Sequence, residues 1–190
     1  MGFDVQNHYF FDALLKNPKL EIEWVDLMSQ LEFVGCRKII KNISFSEITV
    51  QSLKHLSEEA NHAFLLKTAA EQSGLNKRTW AEGLFSFSGW EYFHELDKEI
   101  SEMQPEKRRY PAVSWVIETR VLTFYPWYME RCAFPKVKRV LGQILAQEQR
   151  HAEFFGTVPF SDTEKGEMLR AEQQLWQKFI EKAHQIIQKL

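Results

Sequence analysis

Twice along the chain, a lone glutamate stands one helical hairpin ahead of a Glu-x-x-His pair, and the two spacings are nearly equal. Glu32 precedes Glu59-Ala60-Asn61-His62 by 27 positions, and Glu118 precedes Glu148-Gln149-Arg150-His151 by 30. Residues three apart share a helix face, so carboxylate and imidazole of one pair can reach a single ion. The pair alone says little, because a Glu-rich chain produces it by chance; Glu91-Tyr92-Phe93-His94 is a third copy. No glutamate precedes that third copy at the matching distance on a hairpin helix. The spacing is the stronger constraint. Glu32 lies ~15 Å along a helix from a turn near Asn42, and Glu59 ~21 Å along the return helix from Phe45, at 1.5 Å per residue. Glu118 to Cys132 and Pro135 to Glu148 span ~21 Å and ~20 Å on the same rule. Antiparallel hairpins of those lengths set each lone Glu roughly level with its pair. Two such hairpins packed together bring four carboxylates and two imidazoles to one point.

The rest of the chain is compatible with helices of that length. Only 8 Gly and 6 Pro occur in 190 residues, which favours helix over sheet. A first helix is predicted from about Glu21 to Lys41, after the break at Asn17-Pro18, with a turn over Asn42 to Phe45. Ser46 with Thr49 is placed to cap a second helix, which runs through Lys67 to Ser73-Gly74. Asn76 to Tyr110 reads as a connecting segment interrupted by Gly83 and Gly89, carrying its own helix over Trp90 to Met103. The next helix is expected to start near Pro111, where proline suits a first turn, and to run to about Cys132 with a kink at Pro126. After a turn at Ala133-Phe134-Pro135, a further helix spans about Lys136 to Phe155. Ser161-Asp162-Thr163-Glu164 forms a capping box for a last helix. There is no internal repeat and no linker, so residues 1–190 read as one all-α domain.

Composition excludes several classes. A net charge of −2 and a pI near 6.3 give no electrostatic reason to expect nucleic acid. The basic clusters Lys107-Arg108-Arg109 and Lys136-Val137-Lys138-Arg139 read as solvated helix ends. No apolar run approaches the ~18 residues of a membrane span, so no membrane partner is expected. Met1-Gly2-Phe3-Asp4 lacks the character of a signal peptide, and Gln6 stands where an N-myristoylation signal has Ser or Thr. Two cysteines, Cys36 and Cys132, do not make a disulfide framework and read as small core residues; a reduced, cytoplasmic protein is expected. The 15 Phe and 6 Trp either stiffen a core or line an apolar cavity.

Glu32, in Leu31-Glu32-Phe33-Val34-Gly35-Cys36, and Glu118, between Trp115-Val116-Ile117 and Val121-Leu122, stand in apolar surroundings. An ionised carboxylate there must be paired, protonated or bound to metal. The order Glu, Glu-x-x-His, Glu, Glu-x-x-His over about Glu21 to Phe155 resembles the ferritin-like di-iron carboxylate superfamily. That resemblance implies a ferritin-like four-helix bundle with a long crossover carrying an extra helix, plus an additional C-terminal helix. It implies metal ligation by Glu32, Glu59, His62, Glu118, Glu148 and His151, with Glu59 and Glu148 bridging two ions and Glu32 and Glu118 terminal. Two iron ions are expected, with iron/manganese or manganese pairs compatible with the same donors. The 59 positions from Glu59 to Glu118 make a crossover similar to the oxygenase branch, including aldehyde-deformylating oxygenase and the bacterial tRNA-modifying di-iron hydroxylase. The implied function is an oxidase or oxygenase using O2 on a small, largely apolar substrate. Without a Cys-x-x-Cys pair it would need an external electron donor. A homodimer is among the assemblies such bundles form.

Two other classes stay open: iron or peroxide handling similar to bacterioferritin and rubrerythrin, and a helical interaction protein using the final amphipathic helix (Leu169, Leu175, Phe179, Ile186). Near the proposed ligands, Glu58 reads as a surface acid and His55 as a core-edge histidine or a support to Glu59. Tyr125 reads as a packed tyrosine with a hydrogen-bond partner, or as a radical or gating residue.

Overall fold

The computed structural model describes residues 6–42, 48–75 and 78–190. Those residues form seven α-helices: α1 (Gln6–Leu15), α2 (Pro18–Asn42), α3 (Val50–Gln72), α4 (Ser86–Met103), α5 (Glu106–Arg131), α6 (Pro135–Gly156) and α7 (Asp162–Ile187). A single 3-10 turn, Trp80–Glu82, precedes α4, and the described residues contain no strand. The all-α expectation is met. No described helix is long and apolar enough to cross a membrane.

The helix ends follow local chemistry. Thr49 caps α3 by accepting from the Ser52 N–H, and Gly74 follows the helix with a φ of 73° that a side chain would resist. At α7, Ser161 accepts from the Glu164 N–H while the Glu164 carboxylate accepts from the Ser161 N–H, as the capping box requires. Ser46 and the turn after Asn42 lie outside the described residues, as do Gly2 and Asn76.

Three elements differ from expectation. α1 is an additional helix before the Asn17-Pro18 break. α5 starts at Glu106 behind Pro105, so Pro111 sits inside the helix rather than at its start. Proline there removes one backbone donor and crowds the carbonyl four residues before it, and packing of the helix outweighs that cost. α4 begins at Ser86 and runs straight through Gly89. A Cβ at Gly89 would lie 2.4 Å from Leu27 Cδ1, so this glycine lets α4 lie close against α2.

Two hairpins, α2–α3 and α5–α6, lie against each other through α3 and α6. α4 packs on α2, α5 and α7, while α1 packs on α2 and α7. The aromatic-rich composition is spent largely on the core between these layers. Trp24 is 1% exposed and touches the rings of Phe10, Phe11 and Phe179 at centroid distances of 5.3, 5.3 and 5.6 Å. Each such ring contributes about 1.5–3 kcal/mol by leaving water, and edge-to-face geometry adds to it. Leu175 and Phe179 of α7 are buried inside the chain, so those positions are not free for assembly.

Candidate metal centre

The six residues singled out by spacing come from all four hairpin helices: Glu32 from α2, Glu59 and His62 from α3, Glu118 from α5, Glu148 and His151 from α6. All are buried, from 1% exposed at His62 and Glu148 to 8% at Glu32. His62 Nδ1 lies 2.8 Å from Glu148 Oε1, 3.6 Å from Glu32 Oε2 and 3.9 Å from Glu59 Oε1. His151 Nδ1 lies 2.8 Å from Glu148 Oε2 and 3.5 Å from Glu59 Oε1. The Glu148 carboxylate therefore stands between two imidazoles with one oxygen toward each.

Two groups of donor atoms emerge, each with all atoms within 4.8 Å of one another: Glu32, Glu59, His62 and Glu148, and His55, Glu59, Glu118 and His151. Glu59 belongs to both. His55 is the residue whose place the sequence left open. It lies one turn before Glu59, is 9% exposed, and holds Nε2 3.3 Å from Glu59 Oε1. Its spacing of four before Glu59 was the available signal.

The far side of each imidazole is fixed. His62 Nε2 donates to Gln147 Oε1 at 2.6 Å and His151 Nε2 donates to Glu58 Oε2 at 3.0 Å. With Nε2 donating outward, an Nδ1 freed of its proton would face the cluster as a lone-pair donor, the arrangement metal-binding histidines use. Glu58 is thus a partly buried acceptor, also paired with Arg150 at 3.2 Å, rather than a surface acid. Tyr125 donates to Glu32 Oε1 at 2.5 Å, the hydrogen-bonded tyrosine expected from sequence. Cys36 and Cys132 are buried and free. Glu91 and His94 take no part: Glu91 pairs with Lys182 at 2.6 Å and His94 stacks on Trp90.

The electrostatics are those of a site short of positive charge. Burial, then the Glu148 and Glu32 charges, pushes the Glu59 carboxyl well above its usual range. Burial and Glu148 do the same to Glu118. Burial would raise Glu148 too, but hydrogen bonds with Glu118, His151 and His62 hold it low. Burial opposes charge on His62, yet hydrogen bonds to Glu148 and Glu32 raise it to about 11. His55 moves the other way, to about 4, through burial and the charge of His151. Protons thus do part of the neutralising that four clustered carboxylates demand. Glu59 Oε1 and His55 Nε2 are still buried without a hydrogen-bond partner. Orphaned donor atoms converging in two groups around a shared carboxylate could hold a metal ion.

One face of the cluster opens on a cavity of about 90 Å³. Its walls include Glu32, Glu59, Glu118 and Glu148, then Leu27, Ile117, Val121, Phe93, Phe124 and Trp176. A buried ionic group backs it: Arg120 donates to both Glu172 oxygens, at 2.7 and 2.5 Å, and Tyr92 donates to Glu172 Oε1 at 2.7 Å. Comparison with known protein families, curated proteins and solved structures gives no match.

Proposed function

We propose that this chain is a ferritin-like carboxylate oxidase or oxygenase with two iron ions, or an iron/manganese pair, acting with O2 on a small, largely apolar substrate. One observation carries the reading: two buried donor groups share Glu59 and face a cavity walled mostly by hydrocarbon and aromatic rings. Glu32, Glu59, His62 and Glu148 would hold one ion, and His55, Glu59, Glu118 and His151 the other. Two packed hairpins contributing one Glu and one Glu-x-x-His each is the arrangement of ferritin-like di-iron proteins.

A reduced metal pair held there would supply the electrons and open coordination positions for O2 that side chains lack. The chain's own residues do the placing. Gln147 and Glu58 keep the imidazoles turned inward, and Tyr125 orients one oxygen of Glu32. Phe93, Phe124, Ile117 and Val121 exclude water and hold the substrate. Electrons come from a separate donor protein, since the chain has no Cys-x-x-Cys pair.

The test is anaerobic loading with Fe(II), with and without Mn(II), followed by elemental analysis and O2 uptake. About two ions per chain, lost in Glu32→Ala/Glu118→Ala, with O2 consumed by the reduced wild type, is the expected result. No stoichiometric metal in the wild type would end the enzyme reading; full loading without O2 uptake would end the oxidase reading alone.

A further inference from the structure

A purely hydrocarbon substrate would need no cation in its cavity, yet Lys38 is part of the wall. It lies six positions beyond Glu32 on α2, ~9 Å along the helix axis. Its Nζ is closed off from solvent, and among the described residues its one anionic partner is Asp97. Asp97 Oδ1 stands 3.1 Å away as an ion pair, but Asp97 is on the outer side, 46% exposed, while the ammonium points inward over Phe93 at 5.2 Å from the ring centroid. An ammonium has three N–H donors, and a single carboxylate oxygen leaves two of them unmade, which is costly in a dry site. The other cation of the wall, Arg120, is spent: it binds Glu172 and Gln173 and stacks on Trp176.

We infer that the cavity binds a small apolar monoanion, a short-chain carboxylate in chemical class, with its charged end on Lys38 and its hydrocarbon end against the cluster. This rests on the reading of the cluster as an O2-activating metal centre. Charge orients the ligand: two divalent ions would neutralise the four glutamates gathered at one end, while Lys38 attracts the anionic end at the other. Charge-assisted hydrogen bonds from Nζ satisfy the idle donors. Size selects further. A cavity of about 90 Å³ is smaller than the ~150 Å³ that accommodates benzene, so a chain of a few carbons fits and a long acyl chain does not. The rival account is a lysine that merely lays its stem along apolar surface and is closed by Asp97.

Calorimetric titration of metal-loaded protein with butyrate and with butan-1-ol separates the two. The wild type is expected to bind butyrate, Lys38→Met to bind it at least about tenfold more weakly, and butan-1-ol to bind both proteins alike. Asp97→Asn removes the competing carboxylate from an exposed position and should tighten butyrate binding, which keeps the assignment testable should Lys38→Met fold poorly. Equal butyrate binding by wild type and both variants, or none by fully loaded wild type, would overturn the assignment alone. Metal content is read on the same samples, and failure to load would overturn the centre and this assignment with it.

Discussion

A methyl group on Gly35 would sit 2.6 Å from Glu59 Oε2, the carboxylate common to both donor groups. The neighbour is the free end of a side chain, so the fold can accommodate the change by rotating Glu59 away. Alanine also gains about 1 kcal/mol of helix propensity over glycine in a helix interior. Gly35→Ala should therefore leave thermal stability of the metal-free protein unchanged or higher while weakening metal binding by roughly 10–100-fold. Gly142→Ala is the control, since its Cβ meets only Met129 Cε at an ordinary 3.5 Å. Metal affinity by competition with a chelator checks both; unaltered affinity in Gly35→Ala would show that Glu59 does not hold the metal in this rotamer. The same scale explains why His55 was hard to place from sequence. A histidine four residues before a glutamate is common on any helix; only the approach of α6, which sets its ring 4.2 Å from that of His151, puts it in the cluster.

At the scale of elements, most boundaries are set by a few residues acting locally. The capping box of α7 is an example, and Ser161→Ala should cost about 1 kcal/mol, lowering Tm by roughly 2–4 °C for a chain of this size. The readout is a thermal melt, and a shift beyond about 6 °C would mean that Ser161 does more than cap the helix. Glu164 has a second role, pairing with Arg108 of α5, so its replacement should cost more. α5 shows where local rules lose. Pro111 favours a helix start, yet Glu106 to Tyr110 continue the helix before it because Arg108 and Arg109 find acceptors in Gln104 and beyond. Gly83 and Gly89 look alike in sequence but part company. Gly83 ends the 3-10 turn, and Gly89 lies inside α4 because the α2 surface comes too close for a side chain.

Across the whole molecule, the buried charge should make the metal-free protein sensitive to pH. His62 and His151 are raised in the fold above their unfolded values, and Glu59 and Glu118 likewise keep their protons longer. Above pH ~6.5 the folded chain therefore binds more protons than the unfolded one, and stability must fall as pH rises. His55, lowered to about 4, acts in the opposite direction only between about 4 and 6.5. Melts of chelator-treated protein at several pH values from 6.5 to 8.5 should show Tm declining steadily. Metal loading should release protons and reverse or flatten that slope, because the ions replace the protons as counter-charge. A flat profile without metal would mean the cluster is relaxed and hydrated in solution.

The sequence by itself determined the all-α class, most helix ends and the six clustered residues, because those depend on spacings along single helices and on caps that act within a few residues. Glu32, Glu59, His62, Glu118, Glu148 and His151 could be read from two mirrored intervals before any packing was known. Tertiary structure decided what spacing cannot carry: the approach of His55, the support of Gln147 and Glu58 behind the imidazoles, the exclusion of Glu91 and His94, and the burial of Lys38 in a cavity wall. Each depends on which faces of separate helices meet. Helical periodicity fixes a face within one element, while the pairing of faces is set by the summed packing of the whole core.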